Sequence, residues 1–283
     1  MIRFVNPILL MRILSQEVNT MSQPLPDMAF FHTLADAASQ QTLPRFRSHQ
    51  NLHVGSKPKE GFRFDPVTDA DREAERAIRA LISEHYPEHA ILGEEFGATG
   101  SGDIQWILDP VDGTRPFLCG LPVWGTLIGL LYQGRAVMGM MSQPFTGEAF
   151  WADGRYAWYR GPQGEGRIET RKNVPLDQAI LHTTSPEPIE RHPQIRFAEL
   201  TERTLMTRYG GECYAMAMLA AGHIDICLEY SLQPYDIAAF IPIVEQAGGM
   251  VTTLQGERPE AGGQILATGC PRLHEQVLQV LNG

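Results

Sequence analysis

The sequence predicts an α+β fold in which helical and sheet layers stack on one another. Two observations carry that prediction. Between about residues 90 and 152, short apolar runs follow each other at turn-length spacing: "AILG", "IQWILD", "GTLIGLLYQG", "RAVMGMMSQP" and "GEAFWADG". That is the rhythm of a largely antiparallel meander. From about residue 180 onward, helical and strand patterns alternate instead, which calls for helices lying against a second sheet. A chain of 283 residues can bury a sizeable core without disulfide staples.

Taken in order, residues 1–26 read as a tail. "MIRFVNPILLMRIL" is apolar but broken by Asn6, Pro7 and Arg12, too short to span a bilayer and without a secretory cleavage site. Met11, Met21 and Met28 offer later starts, and the tail is expected to be disordered. A single domain is expected over 27–283, with helices and a meander sheet in 27–160 and the alternating half in 161–283. Its first helix carries Phe30, Phe31, Leu34, Ala37 and Ala38 at helical spacing behind a capping Asp27. "HVGSKPKEGFRFDPV" reads as a mobile Gly/Pro/Lys-rich loop. A second helix runs from about Asp69 to Tyr86 on the stripe Ala74, Ile78, Leu81, Ile82, with Pro87 ending it.

After the meander, "AILHTTS" reads as a strand and "IRFAELTERT" as a helix. "ECYAMAMLAAGHIDICLEY" reads as a helix running into a strand. "DIAAFIPIVEQAGG" is a helix closed by Gly248-Gly249 and bent at Pro242, which removes a backbone donor. "GMVTTL" and "QILATG" are strands, and "PRLHEQVLQVL" closes the chain as a helix.

Composition excludes several functions. Twenty-three basic against thirty-three acidic residues give a net charge of −10, with no basic run, so a nucleic-acid backbone would be repelled. Cys119, Cys213, Cys227 and Cys270 form no CxxC pair, and the nine histidines form no zinc signature. Free thiols in a reducing compartment are the expected state, with the cytoplasm as the expected location and no membrane partner.

Four acidic places remain. In "WILDPVDGTRPF", Asp109 and Asp112 follow an apolar run, and Pro110 directs the chain out of the strand in a defined turn. Gly113 permits close approach to a ligand. Two carboxylates so placed fit oxygen-ligated cations beside a phosphate, and fit equally a solvated Asp-Pro-x-Asp-Gly turn. The Asp-x-x-Asp spacing and mid-chain position differ from the Asp-x-Asp-Gly-Thr of haloacid dehalogenase phosphatases. "ILGEEFG" brings Glu94 and Glu95 to the end of another apolar run, where charge needs a cation or solvent. "DPVTDADRE" places Asp71 in a capping box with Thr68, or leaves capping to Asp69. "LQPYDIAAF" puts Asp236 at a helix N-cap. Each has an ordinary explanation alone; their joint order does not.

That order resembles the inositol monophosphatase superfamily of Mg²⁺-dependent, lithium-sensitive phosphatases, from about Phe30 to the C-terminus. The resemblance rests on "PVTDAD", "GEE", "WILDPVDGTRPF" and "PYDIAAFIPIVEQAGG". It implies a layered αβαβα sandwich, a small phosphorylated metabolite as substrate, and a homodimer. It implies that Glu94, Asp109 and the carbonyl of Val111 hold one Mg²⁺, and that Asp109, Asp112 and Asp236 hold a second. Asp71 and Glu94 match positions of a third, weaker ion. Thr114, with Glu94, would orient and deprotonate the attacking water, while the amides of Gly113 and Thr114 steady the phosphate. The details are most similar to the bacterial histidinol-phosphate phosphatases, with inositol-1-phosphate as the alternative substrate. Tyr235 stands where inositol-specific members usually carry Trp, and Arg115 where they carry Thr or Glu. Glu229 matches a substrate-contacting acid suited to the amine of histidinol, though a plain surface residue at a strand end fits it nearly as well. Lys57 and Lys59 fall in a loop that can close over the site in this fold, although an exposed lysine pair is more often just solvated.

Overall fold

The computed structural model describes residues 24–48, 53–57 and 65–283. The tail before residue 24 and Lys59 lie outside the described residues, as does the Lys57 side chain. The first helix, α1 (Met28–Thr42), is capped by Asp27, whose carboxylate accepts the Phe30 amide at 2.9 Å. The expected loop is in part a ribbon, because β1 (Val54–Lys57) pairs antiparallel with β2 (Asp65–Thr68). Lys, Gly and Pro concealed that pairing from a reading based on apolar alternation. Thr68 caps α2 (Asp69–His85) in a reciprocal capping box with Asp71, so Asp69 is not the cap.

The meander follows: β3 (Ala90–Gly93), β4 (Gly97–Thr99), β5 (Ile104–Asp112), β6 (Gly125–Tyr132), β7 (Arg135–Gln143), β8 (Glu148–Ala152), β9 (Ala157–Gly161) and β10 (Gly164–Arg167). Between β5 and β6 lies the short helix α3 (Thr114–Cys119). The eight strands form one sheet in the order β10-β9-β8-β7-β6-β5-β3-β4, antiparallel throughout except for the β3–β5 pair. The sheet runs to Arg167 and so passes the expected division at residue 160. Gly161, Gly164 and Gly166 carry the turn and last strand without any apolar pattern.

The second half contains β11 (Ile180–Thr183), α4 (Glu187–Glu190), α5 (Phe197–Arg203), β12 (Met206–Tyr209), α6 (Glu212–Ala220), β13 (Ile226–Leu232), α7 (Pro234–Ile237), α8 (Phe240–Gln246), β14 (Met250–Thr253), β15 (Gly263–Thr268) and α9 (Pro271–Asn282). Five strands make a mixed sheet in the order β12-β11-β13-β15-β14.

Three apolar clusters show how these elements stack. Phe31, Leu34, Ile78 and Ile82 of α1 and α2 meet Trp106, Ile128 and Met140 on one face of the large sheet. The other face, through Ile107, Leu127 and Phe150, meets Met216, Phe240 and Val244 of α6 and α8, which also touch Cys227 and Ile265 of the smaller sheet. Leu181, Leu228 and Leu266 on its far side pack against Phe197, Leu200, Leu273 and Val277. The layer order is therefore helix, sheet, helix, sheet, helix. The α+β expectation and the layered sandwich both hold.

The segment expected to be one helix after Asp236 is two, α7 and α8, separated at Ala238 and Ala239. Both residues keep helical dihedrals. What is missing is a hydrogen bond: Pro242 has no N–H to give to the carbonyl of Ala238, four residues back. The break lies against a cross-strand glycine pair, Gly129 and Gly139. A Cβ on Gly139 would lie 2.2 Å from the Ala239 oxygen, and one on Gly129 would lie 2.9 Å from the Ala238 Cβ. This direct backbone-on-sheet seat fixes how far α7 stands from the end of β5. Gly139→Ala is accordingly expected to destabilise the fold by about 1–3 kcal/mol or more in chemical denaturation. Gly166→Ala, which meets open space, serves as control and is expected to change stability little.

Candidate active site

Asp109 and Asp112 are three residues apart, and side chains alternate along a strand, so in a regular strand they would face opposite sides of the sheet. The structure resolves this with a bulge. Asp109 pairs with Leu127 but Asp112 pairs with Gly125, which leaves one extra residue on β5. The strand therefore continues through the expected turn, with Pro110 at the irregularity, where no ladder donor is needed. The Pro110 carbonyl instead accepts the Thr126 hydroxyl at 2.8 Å. Both carboxylates now reach the same place. Gly113 follows at φ 86°, a left-handed turn open to glycine, and starts α3.

Asp236 comes from the far end of the chain. It is the third residue of α7 and not the N-cap; Gln233 is the cap, and its amide donates to Asp236 Oδ2 at 2.7 Å. Asp109, Asp112 and Asp236 each place a carboxylate oxygen within 4.8 Å of the others. A backbone amide orients every one of the three: Val111 N–H on Asp109 at 3.1 Å, Cys213 N–H on Asp112 at 2.8 Å, and Gln233 N–H on Asp236. Burial pushes Asp109 well above the usual carboxylate range, and the nearby charges of Glu94, Asp112 and Asp236 push it further. Such a cluster is self-repelling until a cation enters it.

Glu94 lines the same cleft, and Glu95 turns away toward Arg72, 3.9 Å distant. A buried residue that sequence reasoning missed fixes this turn. Glu75 of α2 is fully buried and accepts the Glu95 amide at 2.7 Å and the Phe96 amide at 3.3 Å. Arg79 closes the arrangement with a 2.7 Å bond to Glu75, and it also reaches Thr99 and the Gly97 carbonyl. A Cβ on Gly93 would lie 2.0 Å from Glu75 Oε1, so glycine is required there. In the sequence, Glu75 and Arg79 have the i, i+4 spacing of an ordinary surface pair, and nothing distinguishes them from one.

All the expected site residues except Asp71 line this cleft: Glu94, Asp109, Val111, Asp112, Gly113, Thr114, Arg115, Glu229 and Asp236. Asp71 lies just behind it. Its Oδ2 accepts the Thr68 amide and hydroxyl, at 2.9 and 2.5 Å, and its Oδ1 lies 3.1 Å from the Thr114 hydroxyl. Burial raises Asp71 to about 6, the Thr68 hydroxyl opposes that, and Glu94 adds repulsion. The Thr114 hydroxyl also lies 3.2 Å from the Val111 carbonyl, so its proton has two acceptors.

Across the cleft, Glu229 of β13 is 8% exposed, hence a wall residue and no surface strand end. Its Oε1 accepts the amide and hydroxyl of Thr184 at 2.8 and 3.1 Å, and His182 Nδ1 stands 3.9 Å away. Burial lifts Glu229 to about 8, with Thr184 opposing and Glu212 and Asp112 adding to the rise. Glu212, the first residue of α6, also lines the cleft and was not anticipated. Burial and the charge of Asp112 raise it to about 7, and Arg115 offsets this in part. Cys213 is buried and its thiol is pushed up by burial, so it stays protonated and offers no thiolate ligand.

Clustered carboxylates in a cleft between stacked layers could hold a metal ion, the arrangement a metal-dependent phosphatase needs. The family model of the inositol monophosphatase family matches residues 26–282. The chain is 39% identical to the chloroplastic bifunctional phosphatase IMPL2 of Arabidopsis thaliana, over 88% of its own length and 73% of the relative's. It is 35% identical to the histidinol-phosphatase of Streptomyces coelicolor, over 91% and 97%. It superposes with a TM-score of 0.77 on an inositol monophosphatase from Zymomonas mobilis, at 35% identity over 89% and 96% of the two chains. The chain belongs to the inositol monophosphatase family and is a phosphoric monoester hydrolase. No helix among the described residues is long and apolar enough to cross a membrane.

Two measurements check this geometry. Glu75→Gln weakens the hold on the turn that carries Glu94, through the Glu95 and Phe96 amides, so the metal concentration for half-maximal activity should rise about tenfold or more. An unchanged metal requirement would show that Glu94 is placed without it. For Glu229, the folded-state pKa of about 8 lies above its ordinary 4.5. Its stabilising contribution is therefore complete below the lower value and is lost as pH rises through the higher one. In chelator, Glu229→Gln should lose less stability than wild type between about pH 5 and 8. Parallel stability curves would contradict the buried, proton-retaining carboxyl.

Proposed function

We propose that this phosphatase hydrolyses L-histidinol phosphate to L-histidinol and phosphate with Mg²⁺ as its cofactor. The observation that carries the reading is the excess of acidic side chains in the cleft. Beyond the metal-type cluster of Asp109, Asp112 and Asp236, the opposite wall carries Glu229 and Glu212. A neutral polyol phosphate offers these two raised acids no counter-charge, whereas an ester with a cationic amine would pair with one of them and favour its ionised form. Similarity to a histidinol-phosphatase over nearly the whole of both chains supports the same substrate.

The donor set fits Mg²⁺. The cluster is made of carboxylate oxygens, with no imidazole or thiolate in it. Glu94, Asp109, the Val111 carbonyl, Asp112 and Asp236 would hold two ions, with Asp71 and Glu94 beside a third. Bound there, Mg²⁺ supplies positive charge to the phosphoryl oxygens and lowers the pKa of water. The chain's own groups do the rest. Thr114 presents its hydroxyl oxygen, fixed between Asp71 and the Val111 carbonyl, to orient the attacking water, and Glu94 takes the proton. The amides of Gly113 and Thr114 hold phosphate oxygens, and Arg115 adds a positive charge at the cleft rim. In-line attack by water breaks the ester P–O bond with no phosphoenzyme, and the leaving alcohol oxygen takes its proton from solvent.

The test is phosphate release measured side by side from histidinol phosphate and inositol-1-phosphate. The expected outcome is a higher kcat/KM for histidinol phosphate, loss of both activities in chelator, recovery with Mg²⁺ and inhibition by Li⁺. Asp236→Asn should lower kcat/KM at least about a hundredfold, the factor corresponding to several kcal/mol of charge stabilisation. A preference for inositol-1-phosphate would replace the substrate and leave the metal chemistry standing.

A further inference from the structure

The cleft wall holds two carboxylates, and their surroundings differ. Glu229 is satisfied on one oxygen by two donors from Thr184. Glu212 has a side-chain oxygen, Oε2, that is shut off from water and receives no hydrogen bond. Glu212 also carries backbone strain, with φ 43° in a residue that is not glycine. The strain persists because neighbours over-determine the start of α6. The next amide, of Cys213, is bound to Asp112, and a Cβ on Gly113 would lie 3.3 Å from Glu212 Cγ. Gly211 must be glycine too, since a Cβ there would lie 2.6 Å from His182 Nε2. The fold thus holds a strained, incompletely solvated carboxylate at the wall of the cleft, beside the metal-type aspartates.

A half-buried carboxyl whose inner oxygen receives no hydrogen bond is poorly satisfied, and a cationic partner stabilises its ionised form far better than a neutral hydroxyl. We infer that Glu212 is the specificity-determining residue of the cleft, binding the ammonium group of an amino-alcohol phosphate while Glu229 serves to hold Thr184 and the wall. This rests on the phosphomonoesterase reading of the cleft and names the group that selects the substrate. The ammonium would donate to the Glu212 carboxylate, and the phosphate would lie toward Asp109, Asp112 and Asp236. No bond is made or broken at Glu212, and its contribution is to binding.

The experiment compares two phosphomonoesters that differ only in the amine: histidinol phosphate and its analogue with hydroxyl in place of the amino group. The wild-type enzyme should prefer the amine ester in kcat/KM by at least about tenfold, the range of a charge-assisted hydrogen bond. In Glu212→Gln the ratio should fall to near one, carried by KM more than by kcat, while Glu229→Gln should retain most of the preference. Glu212→Gly, which suits the positive φ, is a second variant in case the glutamine form folds poorly, and it should lose the preference too. Inhibition of the wild-type enzyme by free histidinol against its deaminated alcohol repeats the comparison without any substitution, with histidinol expected to bind more tightly. An unchanged ratio in both Glu212 variants, or equal inhibition by the two alcohols, overturns the assignment. Should histidinol phosphate prove a poor substrate, the same ratio taken on phosphoethanolamine and ethylene glycol phosphate judges Glu212 alone. A preference for the amine ester that Glu212→Gln abolishes would uphold the residue while the named substrate fell.

Discussion

Mutual repulsion among carboxylates is the constraint around which this molecule is built. Asp109, Asp112 and Asp236 would separate if free, and Glu94 adds to the charge that presses on Asp109. Holding them together without a cation requires covalent and packing restraint from every side. The bulge in β5 turns two strand residues to one place, and backbone amides from Val111, Cys213 and Gln233 fix the carboxylates' orientation. The stored repulsion is then available to whatever cation enters, which is how a fold converts its own stability into ion affinity.

The layers supply the distances. The cluster gathers the end of β5, in the large sheet, with the start of α7 and the start of α6, in the middle helical layer. The interval between sheet and helix is set where backbone meets backbone, at Gly139 against Ala239. Pro242 breaks the hydrogen-bond ladder beside that contact, so the bend foreseen from the sequence finds a structural role in seating Asp236. On the other side, Glu75 and Arg79 perform the corresponding task for the turn carrying Glu94. These are buried polar groups with their partners in place, the condition under which such groups specify one geometry.

Strain and incomplete solvation concentrate on the opposite wall. Glu212 combines a positive φ with an oxygen lacking any hydrogen bond, and Glu229 keeps its proton far above the ordinary range. Neither feature helps the fold. Both are understandable where a ligand completes the environment, because binding then repays the desolvation that folding imposed.

Much was legible in the chain itself. Apolar runs at turn spacing marked the strands from Ala90 to Ala152, and Asp27 and Thr68 marked the starts of the first two helices, because these signals are local in period and capping chemistry. The acidic motifs were legible as a set, down to Asp236, more than a hundred residues from Asp112. What the sequence left undecided depended on contacts between distant segments. The β1–β2 ribbon and β12 lack an apolar pattern, and their pairing comes from backbone bonds that any side chain permits. The bulge at Pro110 exists only against β6, so a local reading made it a turn. Glu75 and Arg79 look like a solvent-facing pair until Gly93 and the turn at Glu95 close over them. Glu212 looks like a helix-start acid until burial removes its water. Local pattern determined the elements and the candidate ligands; tertiary packing alone decided which carboxylates meet, which are satisfied, and which are left to seek a partner.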